Sequence, residues 1–234
     1  IYMDGKYDRY SGPRGASNEE LCKPIDIGLY EYQYVSNFST MTAIYVDTLS
    51  RGDGSGSSWI NATDDLRGAI VGAANPTSNS GARTVYVRDG EYSWGRLSAG
   101  SAYLLNMSSS ALSYSLTLRG SCTGSGDQQD FSRQTVVRVA SDQNATKQQL
   151  MNVATNRKTV AIEGFTFINT NTGGKGITAS TGDGGKLTLK NCAFRLNAGA
   201  GVDIAKSNAD SVLIYNTLFA DGGTGLAGGD AHTT

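Results

Sequence analysis

The second half of the chain repeats one short strand pattern at intervals of about 25 residues. The pattern reads LTLRGSC, VAIEGFT, LTLKNCA and VLIYNTL in the segments that begin at Leu116, Val160, Leu187 and Val212. When Ile162, Leu189 and Ile214 are aligned, the spacings are 27 and 25 residues, and the 44 residues from Leu118 to Ile162 are close to two shorter coils. A repeat of this length cannot bury its apolar face alone, so each copy must stack on the next.

The repeat extends beyond this strand. Three phenylalanines share one register, and three aliphatic residues share another about twelve residues before each strand: Phe167, Phe194 and Phe219, and Leu150, Ile177 and Val202. Leu226 begins a further turn of the pattern, while Asn191 and Asn216 occupy the turn position at which Gly120 and Gly164 stand. Stacked asparagines can hydrogen-bond to one another, and glycine tolerates the same bent backbone. The sequence therefore predicts an all-β parallel β-helix, a solenoid whose strands lie about 4.8 Å apart.

Composition agrees with a turn-rich solenoid and excludes several functional classes. The 234 residues include 30 Gly and only 3 Pro, and the formal net charge is −1. A nearly neutral chain has no overall field to attract nucleic acid or an anionic membrane, and no apolar run approaches the roughly 18 residues that span a bilayer. The single histidine, His232, argues against a Ser-His-Asp triad or a multi-histidine zinc site.

The chain divides into two predicted parts. Residues 1–42 contain half of the 12 tyrosines and form a Tyr-rich extended arm, in which residues 25–35 alternate as in a strand. Residues 43–234 form the β-helix domain, with clear coils at about 112–229. The arm is therefore expected to lie outside the repeat.

One short capping helix is predicted near the start of the domain, at about residues 63–75. Thr63 is a suitable N-cap, and Asp64 and Asp65 complement the positive end of the helix dipole. The residues on one predicted face are Leu66, Ala69, Ile70 and Ala73. Asn75 and the proline after it end the helix.

The segments around this helix resemble the pectate-lyase-like superfamily of right-handed parallel β-helices. The sequence AIYVD at 43–47, the Gly- and Ser-rich loop after it, Trp59, the helix and TVYVRDGEY at 84–92 are similar to its N-terminal cap and first coil. NCAFRLNAGAGV at 191–202 is similar to the coil repeats of bacterial surface and autotransporter passenger proteins. The resemblance covers about residues 43–229 and implies a right-handed β-helix that is secreted or displayed at the cell surface.

The resemblance also suggests where an active site could lie. Members that cleave acidic polysaccharides use an Arg or Lys base, often beside carboxylates that bind Ca²⁺, on an outward face of stacked strands. The corresponding outward column here is Arg119, Glu163, Lys190 and Tyr215, of which the first three are the candidate catalytic residues. Opposite charges on neighbouring strands equally form a ladder that only stabilises a sheet. We favour the ladder, because a calcium-assisted site needs clustered carboxylates and Glu163 stands alone.

No other cluster predicts a cofactor or a metal. The loop GDGSG at 52–56 contains one carboxylate, Asp53, and is interpreted as a turn because a calcium site needs several oxygen ligands. Trp59 and Trp94 lie in different segments, so the sequence alone places no aromatic stripe for sugar stacking. We therefore expect neither a cofactor nor a bound metal ion.

Two kinds of covalent modification are predicted. The three cysteines have no CxxC spacing, which leaves either one disulfide with a free thiol or three small core residues. The loop settings of Cys22 and Cys122, with the secreted family that the chain resembles, motivate the hypothesis of a disulfide that joins the arm to the β-helix. Cys192 is expected in a stacked row of the core. Four sequons are candidate glycosylation sites: Asn37, Asn61, Asn106 and Asn144.

These features favour a non-enzymatic, extracellular structural or cell-surface protein, such as a filament subunit or a segment of an adhesin. The repeat stops near residues 228–229 without a polar cap, and the arm could add a strand to a neighbour, so self-association or binding to other surface proteins is expected. The alternative is a polysaccharide lyase or hydrolase, or a glycan-binding module, that acts on the outer face of the β-helix. Fold analogy alone supports this alternative.

Overall fold

The computed structural model describes most of the chain from residue 38 onward. The described ranges are 38–75, 82–94, 103–107, 114–140, 149–155, 158–180, 185–195, 197–205 and 211–228. Two short strands of the predicted arm, β1 (Tyr7–Asp8) and β2 (Gly12–Pro13), are also described and pair antiparallel. The alternating segment 25–35 lies outside the described residues.

Sixteen further strands form three parallel sheets within the described ranges. Sheet 1 contains, in spatial order, β3 (Ala43–Val46), β4 (Arg83–Arg88), β7 (Leu116–Cys122), β10 (Thr159–Glu163), β13 (Lys186–Lys190) and β16 (Ser211–Tyr215). Sheet 2 contains β5 (Gly90–Trp94), β8 (Thr135–Val139), β11 (Phe165–Ile168), β14 (Ala193–Arg195) and β17 (Leu218–Ala220). Sheet 3 contains β6 (Tyr103–Asn106), β9 (Gln149–Ala154), β12 (Lys175–Ser180), β15 (Ala200–Ala205) and β18 (Thr224–Gly228).

From β4 onward the chain visits the three sheets in a fixed order and then returns to the first. We call three consecutive strands, one from each sheet, a rung; β4, β5 and β6 form the first complete rung and β16, β17 and β18 the last. Side chains that alternate along the strands are buried, and those of all three sheets belong to one hydrophobic cluster. Burial of one face per strand is what the period-two pattern requires. The predicted all-β class with parallel strands is confirmed.

The predicted register between repeats is confirmed in sheets 1 and 2. Ile162 pairs with Leu189 and Leu189 with Ile214, while Phe194 pairs with both Phe167 and Phe219. Three stacked rings result, with neighbouring centroids 5.1 and 5.3 Å apart. Identical side chains at one register position therefore stack along the rungs and fill the core.

Two details of the predicted repeat are wrong. Leu118 pairs directly with Ile162, so the 44-residue spacing is one long turn of the chain rather than two shorter coils. Its extra length lies in the connections between β7 and β8 and between β8 and β9. In sheet 3, Ile177 pairs with Val202 as predicted, but its other neighbour is Met151 and not Leu150. Both of these β9 side chains are buried, so the alternation of polar and apolar residues that marks register is absent there.

A residue with a positive φ angle follows the outward charged or aromatic position of the sheet 1 strand within two residues in each of the last four rungs. Gly164, Asn191 and Asn216 have positive φ angles of 75°, 52° and 43°, and the Nδ2 of Asn216 donates to Oδ1 of Asn191 at 2.7 Å. The predicted asparagine stack is therefore confirmed. On the rung of β7 the positive φ belongs to Ser121 rather than to Gly120, and β7 continues through it to Cys122.

Gly120 is required for a different reason, which is space. A Cβ atom on Gly120 would lie 2.5 Å from the carbonyl oxygen of Gly164 on the next rung. The same constraint applies along sheet 3, where a Cβ on Gly176 would lie 2.5 Å from the carbonyl oxygen of Gly201 and 2.7 Å from the Phe194 ring. Glycine at these positions lets the turns of one rung pack directly on the next.

Helix α1 (Leu66–Ala74) packs against the strands at the β3 end of sheet 1. All four residues of its predicted apolar face are buried: Leu66, Ala69, Ile70 and Ala73. Its N-cap is Asp65 and not Thr63, because the Asp65 carboxylate accepts the N–H of Gly68 at 2.7 Å. The Thr63 backbone instead pairs with Tyr45 and Asp47 beside β3, so it cannot begin the helix. The predicted end at Asn75 is confirmed.

The core begins a few residues before the predicted domain boundary at residue 43. Phe38 is fully buried, and the backbone at Gly72 in α1 fits closely against it. The buried guanidinium of Arg83 donates through Nη1 to the carbonyl oxygens of Phe38 and Met41, and desolvation lowers its pKa. These contacts attach residues 38–41 to β4.

Candidate functional site on the outer face of sheet 1

One outward column crosses all six strands of sheet 1. Strand register places its members in the order Tyr45, Tyr86, Arg119, Glu163, Lys190 and Tyr215. The four residues predicted as an outward column therefore do lie side by side. Two tyrosines of β3 and β4 continue the column beyond them.

The charged part of the column is an ion-pair ladder centred on Glu163. Its carboxylate lies 3.0 Å from Nζ of Lys190 and 3.9 Å from Nε of Arg119, and it accepts a hydrogen bond from Nδ2 of Asn191 at 3.4 Å. Arg119 also donates to Oε1 of Gln129 at 2.7 Å. Each candidate catalytic side chain is therefore held by its neighbours, as expected when opposite charges lie on adjacent strands.

We expect this ladder to contribute little to stability. Glu163→Gln should lower the free energy of unfolding by about 1 kcal/mol or less, because partly exposed ion pairs gain little net energy. The loss should shrink in high salt, which screens the wild-type pairs. Urea unfolding of the wild type, Glu163→Gln, Lys190→Ala and the double variant measures the coupling, and a coupling energy well above 1 kcal/mol would contradict a simple surface ladder.

An aromatic cluster occupies the other end of the column. The Tyr45 and Tyr86 rings stack with centroids 5.2 Å apart, and Trp59 meets Tyr45 edge-on at 5.1 Å. The Trp59 indole N–H donates to the carbonyl oxygen of Gly126 at 2.8 Å, and the Arg119 guanidinium lies 5.8 Å from the Tyr86 ring centroid. The sequence did not reveal this cluster; comparison of AIYVD and TVYVR with the later strands could have aligned the two tyrosines with Arg119.

Tyr86 is a neutral hydrogen-bonding group in this cluster. Burial raises its pKa, and the nearby Asp127 carboxylate, to which its hydroxyl hydrogen-bonds, raises it further. A neighbouring anion disfavours a phenolate, so the ring stays protonated at physiological pH. The cluster therefore offers apolar ring faces beside one cation, Arg119, and no basic phenolate.

Hydrogen bonds and ion pairs stabilise both the loop at 52–56 and the turn around Gly90. Asp53 accepts the N–H of Ser55 at 2.8 Å, which forms a turn within the loop. Hydrogen bonds from the Ser55 side chain and then from its backbone N–H lower the pKa of the Asp53 carboxyl. Among the described residues, no three His, Cys, Asp or Glu side chains lie close enough together to hold a metal ion. Two ion pairs stabilise the turn around Gly90. Nη1 of Arg88 lies 2.7 Å from Oδ2 of Asp47, and Nη2 of Arg133 lies 2.8 Å from Oδ2 of Asp89.

A groove of about 610 Å³ follows the corner between sheets 1 and 2 over several rungs. Asn191 and Asn216 lie along it, and the half-exposed Phe131 ring packs on the backbone of Gly164 at its edge. Among the residues that line the groove, the charged one is Arg133, which forms an ion pair with Asp89. The residues that line the groove thus present amides, hydroxyls and the exposed Phe131 ring, and none of them is a carboxylate or an imidazole that could serve in acid–base chemistry.

The modification sites are placed only in part. Asn61 lies in the loop before α1 with its Oδ1 near the N–H of Asp53, at 3.5 Å, and Asn106 ends β6. Asn37 and Asn144 lie outside the described residues. Cys122 is a fully buried free thiol whose Sγ donates to the carbonyl oxygen of Arg119 at 3.2 Å. Cys22 lies outside the described residues, so the proposed disulfide stays a prediction, tested by mass spectrometry of a non-reduced digest.

We expect both described thiols to be unreactive in the folded protein. Burial raises the pKa of Cys122 and of Cys192 to about 11, so each remains protonated at pH 8, and only the thiolate is a good nucleophile. If Cys122 is a free thiol, neither cysteine should react with Ellman's reagent at pH 8 in the native state, whereas both should react in urea; a disulfide to Cys22 would leave only Cys192 of the two reactive in urea. Rapid native labelling of either residue, mapped by peptide mass spectrometry, would show that the core opens readily.

Comparison with protein-family models, curated proteins and solved structures gives no match for this chain. Within the described residues, no helix is long and apolar enough to cross a membrane.

Proposed function

We propose that this chain is a non-enzymatic structural segment of an extracellular or cell-surface protein, built as a right-handed parallel β-helix that self-associates through its last rung. Three features support the β-helix: the fixed order of the sheets, the parallel register between rungs and the shared core. Right-handedness is supported by the general rule that crossovers between parallel strands of one sheet are right-handed in about 98% of cases. The resemblance to secreted β-helices supports the location.

The exposure of the last rung carries the proposal. Val212, Ile214 and Phe219 align with buried residues of the rung below, yet they are only partly buried, and Leu226 is 51% exposed where its neighbour Val202 is fully buried. An uncovered apolar edge of this kind is a template for further β structure. A structural protein that binds further strands, or further copies of itself, could bind them at this edge.

Electron microscopy and sedimentation of the purified chain test the proposed function. Dimers or larger assemblies that form as the concentration rises are expected. A monomer at every concentration up to hundreds of micromolar would contradict self-association. The arm is expected to contribute, and a deletion that tests it should stop before Phe38, because that residue belongs to the core.

A glycan-binding role is the second candidate, and the aromatic cluster on sheet 1 favours it. Stacked Tyr45 and Tyr86 with Trp59 provide apolar ring faces, and Arg119 could attract an acidic sugar. Binding on a glycan array that Trp59→Ala and Tyr86→Ala abolish would support this role. Release of unsaturated or reducing ends from acidic glycans, lost in Lys190→Ala, would instead support a lyase or hydrolase.

A further inference from the structure

The loop after β3 presents two opposite charges on either side of a single glycine. Its residues there are Arg51, Gly52 and Asp53, and all three are exposed. The Arg51 side chain forms no hydrogen bond or ion pair with another described residue. The Asp53 carboxylate accepts the N–H of Ser55 at 2.8 Å. A guanidinium and a carboxylate are therefore displayed together to the solvent without being paired to each other.

Backbone contacts fix the loop on both sides of this tripeptide. The N–H of Gly56 donates to the carbonyl oxygen of Asn61 at 2.7 Å, and Oγ of Ser50 donates to that of Ile60 at 3.0 Å. Gly52 itself packs against the returning segment, because a Cβ there would lie 2.1 Å from the Ile60 carbonyl oxygen. Only glycine therefore fits between the two charged residues. A loop that is fixed in this way loses little conformational entropy when it binds a partner.

Two exposed apolar side chains flank the charged tripeptide. Leu49 lies just before it and is 72% exposed, while Ile60 lies on the segment to which Ser50 hydrogen-bonds and is 80% exposed. No other large apolar side chain among the described residues is as exposed as these two. Single exposed apolar residues are common on protein surfaces, but these two border an unpaired guanidinium. Exposed apolar residues beside an arginine form the kind of surface that a protein partner covers.

We propose that this loop is an adhesion site that binds a protein receptor through Arg51 and Asp53. The receptor must supply two elements, which are carboxylates that bind the guanidinium and a divalent cation with an open position for the Asp53 carboxylate. The guanidinium presents a rigid fork that matches a carboxylate, and Mg²⁺ and Mn²⁺ prefer oxygen ligands such as a carboxylate. The inference goes beyond the proposed function, because it names a partner other than a second copy of the chain.

Surface plasmon resonance with the immobilised full chain tests the site. The probe is the purified ectodomain of an integrin that binds Arg-Gly-Asp peptides, since it is a receptor of this chemistry. It should bind in Mn²⁺, and EDTA should abolish binding. Asp53→Glu keeps the charge but moves the carboxylate by one methylene group, and it should raise the dissociation constant at least tenfold. Arg51→Lys keeps the charge but loses the planar fork, and it should raise the constant at least threefold.

Arg195→Lys and Asp221→Glu are the matched controls, because they make the same two changes at an exposed ion pair elsewhere on the chain. Each should change the dissociation constant less than twofold, and circular dichroism melts show whether each variant is folded. Binding that persists in EDTA, or that folded Asp53→Glu retains in full, would overturn the adhesion site. Absence of binding in Mn²⁺ at tens of micromolar ectodomain would also overturn it. Neither result bears on self-association, since a monomeric chain can bind the receptor and an assembling chain can fail to.

Discussion

Gly176→Ala is expected to destabilise the chain by about 3 kcal/mol or more, at or beyond the upper end of typical overpacking costs. The added Cβ would lie 2.5 Å from the carbonyl oxygen of Gly201 and 2.7 Å from the Phe194 ring, both of which are fixed by the neighbouring rung. The backbone at Gly176 does not have a positive φ, so the cost is steric rather than conformational. Urea unfolding followed by circular dichroism measures the change.

Gly225→Ala provides the matched control for this prediction. Gly225 precedes Leu226 in β18 as Gly176 precedes Ile177 in β12, but among the described residues β18 has a neighbouring strand on one side only. The three atoms nearest to a Cβ there all belong to the Phe219 side chain, with its Cβ at 3.1 Å, and that partly exposed side chain can move. Its cost should be at most about 1 kcal/mol, within the range of tolerated surface changes and well below that of Gly176→Ala. Equal costs would show that contacts between rungs do not constrain these glycines.

The repeat was sufficient to predict the parallel register, because similar apolar residues occupy the same positions on successive rungs. Ile162, Leu189 and Ile214 pair as their alignment indicated. The prediction was wrong where the sequence stops alternating, as at Leu150 and Met151, which are both buried. The local sequence of β9 is compatible with two registers, and the pairing with β12 determines which one forms.

Local sequence also could not identify which of two capping residues begins α1. Thr63 and Asp65 are both good N-caps, and the choice is made by tertiary structure, since pairing of the Thr63 backbone beside β3 fixes it outside the helix. The left-handed residue of the β7 rung is also displaced by one position, to Ser121, within a strand that continues to Cys122. Both errors are of one or two residues and leave the architecture unchanged.

The candidate site also has one part that the sequence predicts and one part that it does not. The column of Arg119, Glu163 and Lys190 follows from the repeat, since each residue has the same position in its strand. The aromatic cluster does not, because Trp59 lies in a loop outside the repeat and reaches Tyr45 only through the path of that loop. Side chains contributed by irregular connections cannot be placed by periodicity.

Phe194→Ala tests whether the aromatic stack is a main source of stability. Phe194 is 2% exposed and lies between Phe167 and Phe219, with both rings nearly parallel to it. Its truncation leaves a cavity between two rungs and should cost about 3–5 kcal/mol. For a domain of this size the melting temperature should fall by about 10 °C, since each kcal/mol lowers it by roughly 2–4 °C.

Phe219→Ala is the control at the open end of the same stack. It removes the same atoms, but Phe219 has one stacked neighbour and is partly exposed, so less apolar area returns to water and no closed cavity forms. At concentrations below dimer formation, its cost should be less than half that of Phe194→Ala. If the two variants lose equal stability, the end rung must be as well packed as the interior, which would contradict the uncovered edge on which the proposed assembly depends.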